Sequence, residues 1–172
     1  MLKNFCDIYK KNSRFVCSEY FEDIPRGDPG PSGVRCEDVT RLTFSDERFD
    51  LIISQDVFEH VSDPMKGFAE VARVLRPGGV HIFTIPYVSD LAKNLARARV
   101  DNDRVTHFLP PIYYGDPVRA EGALVFTDFG ADLAAIVREA GMELSIHNEF
   151  VFRDQRQITV RVFEAVKLAQ QI

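Results

Sequence analysis

FDLIISQDVFEHVSDPMKGFAEVARVLRPGGVHIFTIPY, residues 49–87, decides the architecture. Phe49 to Ser54 is an apolar run of strand length, as expected for a strand covered on both faces. A polar turn follows, and Asp63-Pro64 then opens a helix, with Asp63 as N-cap and Pro64 at the first helical position, where its missing N–H costs nothing. Phe68, Val71, Ala72 and Leu75 recur at helical spacing and predict a buried stripe. Arg73 and Arg76 suit the negative end of the helix dipole, and Pro77-Gly78-Gly79 stops the helix. Val80 to Ile85 is the next buried strand. Strand, crevice-facing turn, helix and strand in this order build half of a nucleotide-type binding crevice.

Outward from this unit the signals weaken. Leu2, Phe5, Cys6 and Tyr9 predict a short amphipathic N-terminal helix. Phe15 to Phe21 is a β-prone run, and Pro25 to Gly33 reads as an exposed loop. Gly33 to Cys36 is a short strand candidate closed by Glu37-Asp38. On the C-terminal side, Leu91 to Arg99 reads as helical and basic. Leu133, Ile136, Val137 and Ala140 predict a later helix that Asp128 begins and Gly141 ends. Met142 to Phe152 and Ile158 to Val166 predict two strands joined through Arg153-Asp154-Gln155-Arg156. Strands alternating with helices, then an antiparallel pair, specify an α/β three-layer fold with a mainly parallel sheet.

The chain has 172 residues, which predicts a single domain, 1–172, burying roughly two-thirds of its unfolded surface. Its 45% hydrophobic and 27% charged residues are ordinary for a globular protein. A net charge of -5 gives no electrostatic reason to expect nucleic acid or an anionic membrane as a partner. No apolar run approaches the roughly 20 residues of a membrane span. MLKNFCDIYKK lacks the continuous apolar core of a secretory signal. Cys6, Cys17 and Cys36 share no metal-like or Cys-x-x-Cys spacing, so the expectation is reduced thiols and a cytoplasmic location.

Ligands of open parallel sheets bind outside the carboxyl ends of the strands. Three such ends are polar here: Ser18-Glu19-Tyr20, Glu37-Asp38-Val39 and Ser54-Gln55-Asp56. An ionised carboxylate is acceptor-only, so an acid at the second strand can receive both hydroxyls of a ribose, and one at the next strand an exocyclic adenine N–H. The alternative is that these acids are caps or solvated loop residues. No Ser-His-Asp order, metal-ligand cluster or phosphate-cradling loop offers a competing reading.

Gly33 to Pro86 resembles the small-molecule branch of the class I S-adenosylmethionine-dependent methyltransferases. The residues that carry the resemblance are Asp38, Leu42-Thr43-Phe44, Phe49 to Ile53, Glu59-His60, Asp63-Pro64, Glu70 to Gly79, and Ile82 to Pro86. The resemblance implies a Rossmann-like methyltransferase sheet, mainly parallel with an antiparallel last strand. It implies S-adenosyl-L-methionine as cofactor, with Glu19 on the ribose, Tyr20 packed on the adenine, Asp38 at the adenine amine and the Val39 backbone beside it. Gln55 and Asp56 would lie near the methionine end. His60 is either a general base or a ring that orients the turn before the helix.

The family's first strand and Gly-rich turn are expected some 20 residues before Glu19. Only 18 residues precede Glu19, and none is Gly. The sheet is therefore expected to be N-terminally truncated, with its backbone groups satisfied by direct pairing of the flanking strands, by a refolded N-terminal segment, or by a second chain in a homodimer. Residues 88–127 stand where this family places a substrate-covering insertion. His107, Tyr113, Tyr114 and Asp128 are candidates to bind or deprotonate an acceptor there, with aromatic filling of a secondary core as the alternative. The expected activity is methyl transfer to a small-molecule substrate, with no nucleic acid or membrane partner. The alternative is a catalytically inactive relative that binds another protein, such as a full-length paralogue.

Overall fold

The computed structural model describes residues 6, 8–9, 11–102, 104–115, 122–153 and 156–169. Leu2 and Phe5 of the expected N-terminal helix lie outside them, as do Asp154 and Gln155 of the expected return. Strand β1 (Ser18–Glu19) pairs in parallel with β2 (Arg35–Cys36). Strands β3 (Phe49–Gln55) and β4 (Leu75–Thr84) are parallel and flank helix α1 (Pro64–Val74). Six short strands follow: β5 (Leu95–Ala96), β6 (Ala98–Asp101), β7 (Arg104–His107), β8 (Tyr113–Tyr114), β9 (Ala123–Leu124) and β10 (Thr127–Asp128). Helix α2 (Leu133–Glu139) leads into β11 (Met142–Arg153) and β12 (Arg156–Lys167).

The main sheet has the order β11-β12-β4-β3, and β12 runs antiparallel to both of its neighbours. This is the α/β, Rossmann-like arrangement expected from residues 49–87, with the last strand reversed as expected. The start of α1 is as read: Asp63 accepts the Lys66 N–H at 3.1 Å and Pro64 is the first helical residue. Beyond the helix, Pro77-Gly78-Gly79 becomes an excursion within β4. Phe49 pairs with Leu75, but Leu51 already pairs with Val80, and Gly78 takes φ +77 to make the turn.

The core lies between the sheet and its two described helices. Phe68, Val71 and Ala72 of α1 meet Leu133 and Val137 of α2 over Phe83 of β4 and Phe163 and Ala165 of β12. Phe58 stacks on Phe68 with centroids 4.0 Å apart, and Phe83 stacks on Phe163 at 5.1 Å. Gly67 makes room for this: a Cβ there would stand 3.0 Å from the Phe58 ring. The opposite face presents Leu51 and Ile53, which remain 50% and 44% exposed.

Several expectations are corrected. Leu91 to Arg99 is not helical. Leu95 and Ala96 instead pair antiparallel with Asp128 and Thr127, and Arg97 reaches Asp128 at 2.6 Å, so cross-strand pairing outweighs helical spacing. Asp128 accordingly sits in β10, and α2 begins after Asp132, whose carboxylate is used by the Asn94 N–H at 2.6 Å. The Phe15 to Phe21 run yields a strand only at Ser18–Glu19. Among the described residues, β1 and β2 form their own sheet and do not pair with β3, so the flanking strands are not joined directly. Cys6 and Cys17 form a disulfide with Cα atoms 5.9 Å apart, against the expectation of reduced thiols. Their eleven-residue separation follows no motif; the fold brings them together. Cys36 is the free, buried thiol, donating toward the Ile24 and Phe21 carbonyls. No helix among the described residues is long and apolar enough to cross a membrane.

Candidate active site

The carboxyl end of β3 carries the densest polar chemistry. Asp56 adopts φ +51, a conformation uncommon for a residue with a Cβ. Two bonds to β4 hold it there: its N–H donates to the Thr84 carbonyl, and its Oδ1 accepts the Thr84 hydroxyl, both at 2.9 Å. Gln55 Nε2 lies 3.5 Å from Asp56 Oδ2.

A 3-10 turn, Phe58–His60, follows at once. Phe58 anchors it in the aromatic core, which drags the neighbouring Glu59 inside with it. Glu59 is fully buried, and neither carboxylate oxygen has a hydrogen-bond partner among the described residues. Burial pushes its carboxyl up to about 7; its own backbone N–H opposes this, and the nearby Asp56 charge adds to it. The Glu59 carbonyl accepts the Phe126 N–H at 2.7 Å, docking the end of the 88–127 segment onto the turn.

His60 completes the group. Its Nδ1 lies 2.8 Å from the Leu124 carbonyl, which can only accept, so Nδ1 carries the proton. In the neutral ring the lone pair is then on Nε2, which stands 3.8 Å from Glu59 Oε1. The ring also meets the edge of Tyr114 at 5.9 Å. The orienting role read for His60 is thus present in the Leu124 bond, and it leaves Nε2 available. A pocket of about 270 Å³ lies at the start of α1, walled by Ser62, Pro64, Ala96, Arg99, Phe108 and Thr127, and none of Asp56, Glu59, His60, Glu19 and Asp38 lines it.

The other sequence candidates divide between two places. Glu19 ends β1 beside Cys36, and its carbonyl accepts the Glu37 N–H at 3.0 Å, so Glu19 and Asp38 stand at neighbouring strand ends. Asp38 Oδ1 accepts both the N–H and the hydroxyl of Thr40 at 2.8 Å, a turn-capping role. Glu37, by contrast, is consumed structurally by Arg35 and Thr43. Tyr20 is 46% exposed, and Val39 packs against the core close to Gly67. The β1–β2 pair is tied to the main sheet through residues 42–46. Arg73 of α1 donates to the Leu42 and Phe44 carbonyls and to Asp46, while Glu70 accepts the Leu42 N–H. His107 and Tyr113 are exposed on β7 and β8, paired with Ala98 and Leu124. It is Tyr114, one residue on, that reaches His60.

Glu59 entered the sequence reading only as part of the Glu59-His60 pair, and its burial was not anticipated. The available signal was an acid directly after the apolar pair Val57-Phe58, whose burial could carry it inside.

Residues 7–83 match the methyltransferase domain family. This stretch is methyltransferase-domain sequence. A glycine/sarcosine/dimethylglycine N-methyltransferase of Actinopolyspora halophila is 46% identical over 52 residues, 30% of this chain and 9% of the relative. A ubiquinone biosynthesis O-methyltransferase of Parvibaculum lavamentivorans is 37% identical over 76 residues, 44% of this chain and 29% of the relative. The chain therefore spans less than a third of the length of either. Among solved structures, a SAM-dependent methyltransferase from Methanosarcina mazei superimposes with a TM-score of 0.51 at 18% identity, covering 80% of this chain and 68% of that one. That likeness speaks to the fold. The methyltransferase-domain stretch includes β1 to β3, α1, the Asp56–His60 group and most of β4.

Proposed function

We propose that this chain transfers a methyl group from S-adenosylmethionine to a small-molecule acceptor. The observation that supports the reading is the grouping of acids at the carboxyl ends of its two parallel strand pairs. Glu19 and Asp38 stand at one; Asp56, Glu59 and His60 stand at the other. Glu19 would receive the ribose hydroxyls, and Tyr20 would lie against the adenine. The Asp38 oxygen not used by Thr40 would accept the adenine amine beside the Val39 backbone. Gln55 and Asp56 would face the amino-acid end of the cofactor. The cofactor supplies a methyl group on a sulfonium; alignment of the acceptor with it carries most of the rate effect.

His60 Nε2 can take the proton that a hydroxyl or protonated amine acceptor loses as its new bond to carbon forms. Glu59, near half-ionised at neutral pH, can share that proton across the 3.8 Å gap after a small ring movement. His107 and Tyr113, exposed on β7 and β8, would touch the acceptor as it enters beneath the 88–127 segment. The N-methyltransferase and O-methyltransferase names of the two relatives both fit a small acceptor.

Calorimetric titration with S-adenosylhomocysteine tests the reading. Binding is expected, and Glu19→Ala and Asp38→Ala should each weaken it roughly tenfold or more, the cost of a hydrogen bond to a charged group. Absence of binding at millimolar ligand, with the chain folded, would remove the cofactor and with it the proposal.

A further inference from the structure

We infer that Thr84 is a positioning residue for cofactor selection: its hydroxyl fixes the Asp56 carboxylate so that Oδ2 receives the protonated amine at the amino-acid end of the cofactor. This role deepens the proposed function and rests on Asp56 facing that end. Three described residues other than glycine have a positive φ: Glu47, Asp56 and Asn102. Glu47 stands in the turn before β3 and Asn102 in the turn between β6 and β7, where reversal of the chain accounts for the conformation. Asp56 instead directly follows β3 at the carboxyl end of a parallel pair, where ligands of such sheets bind. Glycine takes a φ of +51 freely, whereas aspartate does so at a cost. A carboxylate kept in that conformation at a strand end points to a use for the carboxylate.

Thr84 supplies two separable bonds. Its carbonyl accepts the Asp56 N–H and holds the backbone turn; its hydroxyl donates to Oδ1 and holds the carboxylate, both at 2.9 Å. Thr84 ends β4 opposite Gln55, so strand pairing fixes its position beside Asp56, and its branched Cβ restricts χ1. The hydroxyl is thus presented from a rigid element. Asp56 itself is exposed, and an unheld carboxylate there would rotate freely. With Oδ1 taken, the described neighbour of Oδ2 is the Gln55 amide at 3.5 Å, a weak contact that a charged donor replaces. Among the described residues no lysine or arginine pairs with Asp56, so the cation has to come from the ligand. The Asp56 charge also acts on buried Glu59, so two carboxyl groups share this end of the crevice and favour a cationic group over an anionic one.

Calorimetric titration with two ligands tests the inference: S-adenosylhomocysteine, and methylthioadenosine, which has the same adenosine thioether and no amino-acid end. The parent should bind the first more tightly. Thr84→Val keeps the carbonyl bond and the side-chain shape and removes the hydroxyl. It should weaken S-adenosylhomocysteine about tenfold or more, the worth of a hydrogen bond to a charged group, and leave methylthioadenosine within about twofold. Thr84→Ser should restore the parent's preference, and Asp56→Gly should lose it while melting no lower than the parent. Equal weakening of both ligands by Thr84→Val would mark a merely structural role and overturn the inference. So would a Thr84→Val or Asp56→Gly chain with undiminished preference. A parent that binds both ligands alike overturns the inference together with the placement of Asp56, and leaves the adenosine site of Glu19 and Asp38 standing. A parent that binds neither removes the cofactor and the inference with it.

Discussion

Replacing Glu59 by Gln should make this protein's stability less sensitive to pH, and the size of the effect follows from the burial of one carboxyl. In the folded chain that group titrates near 7, against its ordinary 4.5, because it is buried with no described partner for either oxygen. Below pH 4.5 it is protonated whether the chain is folded or not. As pH rises through the window from 4.5 to 7, the unfolded chain releases the proton while the folded one still holds it. The stabilisation present at low pH is thus lost on going up, and the loss is complete above the folded value. Each unit of difference is worth about 1.4 kcal/mol, so the parent should lose about 3 kcal/mol from this source between about pH 4 and pH 8. The amide does not titrate. Its own packing cost shifts the variant's curve uniformly and cancels when the two pH values are compared. Urea unfolding of both proteins across this range should give a stability difference that moves in the variant's favour by that amount. Parallel curves would mean that the carboxyl is paired or hydrated in the folded protein, and the argument from burial would fail.

Two further predictions concern the core and the clamp. His81 is buried among Phe58, Phe68 and Phe83 with only Ser54 bonded to its Nε2, and burial holds its pKa down to about 3. The unfolded chain takes up that proton first as pH falls below 6.5, so stability should decline through the window from 6.5 to 3, and His81→Asn should flatten this acid limb in a urea-unfolding series. Arg73→Lys keeps the charge but cannot span Glu70, Asp46 and two carbonyls at once. It should cost about 2 kcal/mol and lower Tm by roughly 5 °C in calorimetry; an unchanged Tm would show that the clamp contributes nothing net.

The readable part of this chain was the part whose local signals agree with its packing. Asp63-Pro64 caps and starts α1 because both act within one turn, and the stripe from Phe68 to Leu75 needs only helical geometry to become a buried face. The segment from Leu91 to Arg99 was misread because its spacing is helical, while its energy comes from Asp128 and Thr127 some thirty residues away. The turn at Asp38 was half legible. An acid after a strand was apparent, but not that Thr40 would take one of its oxygens.

The order of residues 49–87 was sufficient to determine an α/β unit with polar strand ends. Periodicity, a cap and a Pro-Gly-Gly excursion act over a few residues and carry their own physics. Packing alone determined what those polar ends became. Phe58 had to enter the aromatic core before Glu59 could lose its water, and Leu124 had to fold back before His60 could be oriented. Likewise, Leu51 and Ile53 read in sequence as buried on both faces. Only the tertiary structure shows that, among the described residues, β3 pairs with β4 alone and that Leu51 and Ile53 stay about half exposed, because what covers a strand is a property of the chain's whole arrangement.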